Sequence, residues 1–145
     1  MEPSMSESDF RLLPKFLQSK TAILNPQNND LRSFGYAIIY AFHPSDWYYS
    51  RSHIPLEERF AQHGLDKINY PVKIQDIPSL EEQLNIRINV FSFIDGSGFK
   101  RCSLYISKKY KKEEVNLLYW DGRFAWIKFL SRLFFDARKY VFFHC

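Results

Sequence analysis

Val115-Asn116-Leu117-Leu118-Tyr119-Trp120-Asp121-Gly122-Arg123-Phe124-Ala125-Trp126-Ile127 is the stretch that decides the fold. Residues 115–120 are strand-like, rich in large apolar and aromatic side chains. Asp121-Gly122 is a two-residue hairpin signal, because both central positions of the favoured turn need positive φ. Residues 124–127 are then the return strand. Working backwards, Ile86-Arg87-Ile88-Asn89-Val90-Phe91-Ser92-Phe93 alternates as a half-buried strand, and Asp95-Gly96-Ser97-Gly98 is a strong turn before another strand within 99–107. The second half of the chain therefore predicts an antiparallel meander.

The first half is helical in character. Phe34, Ala37, Ile38, Ala41 and Phe42 fall at helical spacing, with Ser33 or Asp30 as the cap and Pro44 as the stop. Ala37, Ile38 and Ala41 are expected to face the strand that carries Val90. Pro55 opens a second helix that Gly64 ends, and Ser79 with Glu82 three residues later has capping-box spacing for a third, running to Leu84. Residues 20–24 and 70–74 read as short strands, and residues 129–138 as an amphipathic helix carrying Leu130, Leu133 and Phe134. Helices first and a meander afterwards argue for an α+β class, with early helices packed on an antiparallel sheet. Residues 1–19 are read as a flexible N-terminal segment and 20–145 as one α+β domain.

Composition narrows the functional classes. The chain has 145 residues, and 46% of them are hydrophobic, enough for a real core. No apolar run reaches the ~20 residues of a membrane helix, and the polar, acidic start is no signal peptide, so an intracellular protein of cytoplasm or nucleus is expected. Cys102 and Cys145 are read as free thiols in a reducing compartment. Residues 100–145 carry eleven Lys/Arg against four Asp/Glu, whereas residues 1–99 carry nine against twelve. The basic third points to an acidic partner. Within it, Lys108, Lys109, Lys111 and Lys112 surround Tyr110, a pattern suited to phosphate contact and base stacking. A solubilising loop is the competing reading, since Glu113-Glu114 follows at once.

No familiar catalytic or metal centre assembles from the remaining residues. His43, His53 and His63 are ten apart, which is no ligand spacing on one helix. His144-Cys145 is at most half of a zinc finger. Gly96-Ser97-Gly98 fits a hairpin rather than a phosphate cradle. No cofactor and no metal are expected.

A series of segments does resemble something known. Asn28-Asn29-Asp30-Leu31-Arg32-Ser33-Phe34-Gly35-Tyr36-Ala37 is followed by Tyr70-Pro71-Val72-Lys73-Ile74-Gln75-Asp76-Ile77, by Ile88-Asn89-Val90-Phe91, by Leu104-Tyr105-Ile106-Ser107-Lys108, and by Trp126-Ile127-Lys128-Phe129-Leu130-Ser131-Arg132-Leu133. In this order they resemble the domain ahead of the polymerase in type-B DNA polymerase proteins of Maverick/Polinton-like mobile elements and related viruses, over residues 20–145. That resemblance implies a fold similar to papain-like and ovarian-tumour-type cysteine proteases. The family commonly has Cys where this chain has Ser33, and His where it has Arg123. Arginine is no base at neutral pH, and serine without a base is a poor nucleophile. The resemblance thus implies a degenerate protease-like domain, with Ser33 and Arg123 substituted and Asp30 a turn residue. It would act as a module for nucleic acid, bound weakly and without sequence preference, or for another protein. The alternatives are an active serine or cysteine hydrolase (a peptidase or deubiquitinase) using Ser33, and a structural domain with no ligand.

Overall fold

A computed structural model describes residues 23–26, 30–44, 54–94, 100–130 and 143–144. In chain order these form β1 (Ile23–Leu24), α1 (Ser33–Phe42), α2 (Leu56–Gln62), α3 (Ile77–Leu84), β2 (Arg87–Ile94), β3 (Lys100–Tyr105), β4 (Glu114–Trp120), β5 (Arg123–Ile127) and β6 (Phe143–His144). The 3-10 turns Leu65–Lys67 and Ile74–Asp76 link the helices. The class is α+β. The expected flexible segment at 1–19, the turn at 95–98 and most of the helix at 129–138 lie outside the described residues.

The sheet departs from the expected antiparallel meander. Its order is β1-β5-β4-β2-β3-β6, and it is mixed. β2 pairs antiparallel with β3 but parallel with β4, with Arg87 opposite Glu114 and Phe91 opposite Leu118. A meander would place β4 beside β3. Here the lysine-rich segment after β3 instead crosses the start of β2 and sets β4 on its other side. Asn89 on β2 anchors this crossover. Its carbonyl oxygen accepts from Ser107 N–H at 2.8 Å, and its amide nitrogen donates to Glu114 Oε1 at 2.6 Å and Asn116 Oδ1 at 3.0 Å. Arg87 N–H adds a 2.8 Å bond to Glu113 C=O. These bonds satisfy the backbone N–H groups of Ser107 and Arg87 where the chain crosses.

The β4–β5 hairpin forms as its sequence predicts. Asp121 has φ 53° and Gly122 φ 78°, the positive pair that a two-residue turn requires. α1 lies mainly on β5 and secondarily on β4. Phe34, Ala37 and Ile38 are fully buried, in one cluster with Val90, Leu117 and Phe124. The expected inward face of α1 is thus present, although β5 rather than the Val90 strand is its main neighbour, and Ala41 is only half-buried. Gly35 permits this packing, because a Cβ there would stand 2.4 Å from the Phe60 ring of α2.

Two boundaries shift from their expected places. α3 begins at Ile77, so Pro78 falls in the first turn, and the reciprocal capping sits upstream, where Asp76 Oδ2 accepts from Lys73 N–H at 3.0 Å. Residues 70–74 form no strand. Tyr70 instead packs edge-on to Phe60 and donates its hydroxyl to Leu65 C=O at 2.7 Å, which directs the segment toward the helices rather than a sheet edge.

The cysteine reading also changes. Cys102 is buried and disulfide-bonded, not free. The one other cysteine in the sequence, Cys145, lies outside the described residues. The reason is topological: β3 pairs parallel with β6, so Cys102 stands opposite Phe143 near the end of the chain. The cysteines therefore give no support to a reducing compartment. Among the described residues, no helix is long and apolar enough to cross a membrane.

Candidate functional site

Ser33 meets Phe124, the residue after Arg123, where the start of α1 abuts the start of β5. Arg32 occupies the N-cap position, so Ser33 is the first residue inside the helix and makes no cap, contrary to expectation. Ser33 is 0% exposed, and its Oγ accepts the backbone N–H of Phe124 at 3.0 Å. The hydroxyl thus stitches helix to strand. Arg123, beside the hairpin turn, is buried. The cause is the β1–β5 ladder, which pairs Leu24 with Trp126 and carries the following Pro26 past the root of β5. Arg123 Nη2 donates to Pro26 C=O at 2.5 Å, a charge-assisted bond that satisfies a carbonyl beyond the short strand.

Asp30 lies two residues before the helix N-cap and organises the approach to it. Its carboxylate accepts from Arg32 N–H at 2.9 Å, from Arg32 Nε at 3.2 Å and from Tyr36 Oη at 3.0 Å. The same guanidinium reaches Glu57 on α2 at 2.9 and 3.3 Å and lies 4.3 Å from the centre of the Phe60 ring. Burial, reinforced by the Asp30 charge, pushes the Tyr36 phenol up to about 12. Glu57 is held below the usual carboxylate range by its bonds to Arg32. This is a clasp between α1 and α2, with every named donor facing an acceptor.

The lysine crossover is less uniformly open than its sequence suggests. Tyr110 is fully exposed, and Lys108 and Lys112 are exposed. Lys109 Nζ lies 2.8 Å from Glu82 Oε1 on α3, and Lys111 Nζ lies 3.7 Å from Glu82 Oε2. Those lysines hold the Glu82 carboxyl below its ordinary range. Two of the four expected phosphate contacts therefore already face a carboxylate.

Two further groups were not singled out in the sequence for what they do. Glu81 on α3 is buried and accepts from Ile88 N–H at 3.0 Å and from the Tyr105 hydroxyl, joining the helix to β2 and β3. Burial and this carboxylate raise the Tyr105 phenol to about 12. His43 and His63 were set aside for their spacing, yet their Nε2 atoms are 2.8 Å apart. Counting along one helix missed them because they end two different helices. Of the expected metal candidates, His53 and Cys145 lie outside the described residues, as does the side chain of His144.

No known protein family, no curated protein and no solved structure matches the chain.

Proposed function

We propose that the chain is a catalytically degenerate protease-like domain, of the kind found ahead of the polymerase in type-B polymerase proteins of mobile elements and viruses. In this reading it serves as a weak, sequence-independent nucleic-acid binding module. The observation that carries the reading is the bond between Ser33 and the backbone of Phe124, the residue after Arg123. A papain-like nucleophile stands at the start of a buried helix and its base at the start of a later strand. Ser33 and Arg123 begin such elements in this chain, and both side chains hold backbone groups, Phe124 N–H and Pro26 C=O. Arginine cannot take a proton at neutral pH, and the buried Ser33 oxygen already accepts the Phe124 N–H. A hydrolase using Ser33 is disfavoured by the same contacts.

The binding part of the proposal rests on the exposed Lys108, Tyr110 and Lys112 at the tip of the crossover. With Lys109 and Lys111 held by Glu82, two contacts on duplex DNA give a slope of log affinity against log salt near about −1.8, from roughly 0.9 per contact. Freeing the other two would steepen it toward about −3.6 by the same rule. Titration of labelled single- and double-stranded DNA at low salt is the check. The expected result is weak binding by the parent, loss in Lys108→Ala/Lys112→Ala, and a steeper slope in Glu82→Gln. No binding at low salt, or equal binding by the lysine variant, removes nucleic acid as the partner.

A further inference from the structure

The geometry points to a transition-metal site where the ends of α1 and α2 meet: we propose that His43 and His63 together bind a divalent ion of the zinc, nickel or copper class. Each imidazole sits immediately after the last residue of its helix, His43 as the C-cap of α1 and His63 as the C-cap of α2. Their backbone N–H groups close the helices onto Ile39 C=O at 2.7 Å and Arg59 C=O at 3.2 Å. Both helices therefore bring their carbonyl ends to the same place, where a cation is favoured. This reading is independent of the proposed function.

The ring geometry suits two nitrogen ligands. The Nε2 atoms are 2.8 Å apart, with ring centroids at 5.0 Å and planes at 48°. A contact that short between imidazole nitrogens needs one lone pair facing one N–H, so the two rings already point these atoms at a common point. Metal–nitrogen bonds of about 2.0–2.1 Å at a tetrahedral angle put the ligand atoms roughly 3.3 Å apart. The pair must open by about half an ångström, which a small turn of either half-buried ring provides. Phe42 stacks on the His63 ring at 4.9 Å and holds its plane. On binding, the ring that carries the Nε2 proton gives it up to solvent and takes one up at Nδ1, so both rings stay neutral and both Nε2 lone pairs go to the ion.

Arg59, one turn before His63 on α2, opposes a cation, and its guanidinium is drawn away toward Gln62 Oε1 at 3.1 Å. Burial, together with the charges of His43 and Arg59, holds His63 below its ordinary pKa. Among the described residues no set of three His, Cys, Asp or Glu gathers around one point. Water completes the coordination, and the class of ion follows from the ligands. Imidazole selects zinc, nickel and copper over magnesium and calcium, with copper bound most tightly.

The test is calorimetric and thermal titration of the full chain, freed of metal by chelator, with ZnCl2, NiCl2, CuCl2 and MgCl2 separately. The expected result is a rise in melting temperature with zinc, nickel and copper, and no response to magnesium. His43→Gln and His63→Gln should each lower affinity by about tenfold or more, since loss of a ligand costs at least what loss of an outer-shell partner does. Unchanged affinity in both variants, or no binding by the parent, overturns the site. If a variant fails to fold, Co2+ added to the unaltered chain decides instead. Broadening that begins at the ring signals of Phe42 supports the site, and broadening centred anywhere else contradicts it.

Discussion

Phe124→Ala is expected to lower the unfolding free energy by about 3–5 kcal/mol, the usual cost of emptying a buried aromatic site. The ring is fully buried under α1. It meets Phe34 edge-on at 5.4 Å and 80°, and Tyr119 at 4.8 Å and 56°. Alanine would remove both ring contacts and leave a cavity between helix and hairpin, while keeping the backbone N–H that Ser33 accepts. Marginal stabilities of ~5–15 kcal/mol make this a large fraction of the whole. In a chain of this size the melting temperature should fall by roughly 6–20 °C. Urea unfolding followed by circular dichroism measures it directly. A loss below about 1 kcal/mol would mean that α1 does not rest on β5 as described.

Ile38→Ala should cost about 2–5 kcal/mol by the same mechanism. Ile38 is fully buried one turn along from Phe34 and shares its cluster with Val90 and Leu117. Alanine regains a few tenths of a kcal/mol of helix propensity, too little to change the sign. A variant that melts within a degree or two of the parent would overturn the placement of α1. The two positions are close, so their effects should not add independently.

The elements that were legible share one property: their signals are local. The apolar spacing of Phe34, Ala37 and Ile38 defines the buried face of α1, and Asp121-Gly122 fixes the hairpin through backbone sterics. Neighbour identity in the sheet is not local. Alternation in 86–93 says that β2 has a buried face, but not that β4 will lie parallel beside it. That depends on Asn89, whose side chain holds the crossover from across the sheet.

The candidate site follows the same division. Helical spacing puts Ser33 at the start of α1, and its hydroxyl meets the N–H of Phe124, the residue after Arg123. What Ser33 and Arg123 do there could not be read, because Arg123 is buried by a β1–β5 pairing that no local pattern specifies. A charged residue beside a hairpin turn is ordinarily solvated. Glu82 likewise alters the lysine loop from a distant helix, through a contact made only by the fold. His43 and His63 became neighbours because two helices of unequal length end at one point, a fact that spacing along the chain does not contain.

The central claim is that the Ser33 position is structural rather than reactive. The most direct measurement is covalent labelling of the folded chain by serine- and cysteine-directed hydrolase probes, run beside Ser33→Ala. Ser33 is buried, with its oxygen held by Phe124 N–H, so no labelling is expected in either protein. Labelling of the parent that disappears in Ser33→Ala, with both proteins equally folded, would contradict the account and restore the hydrolase reading.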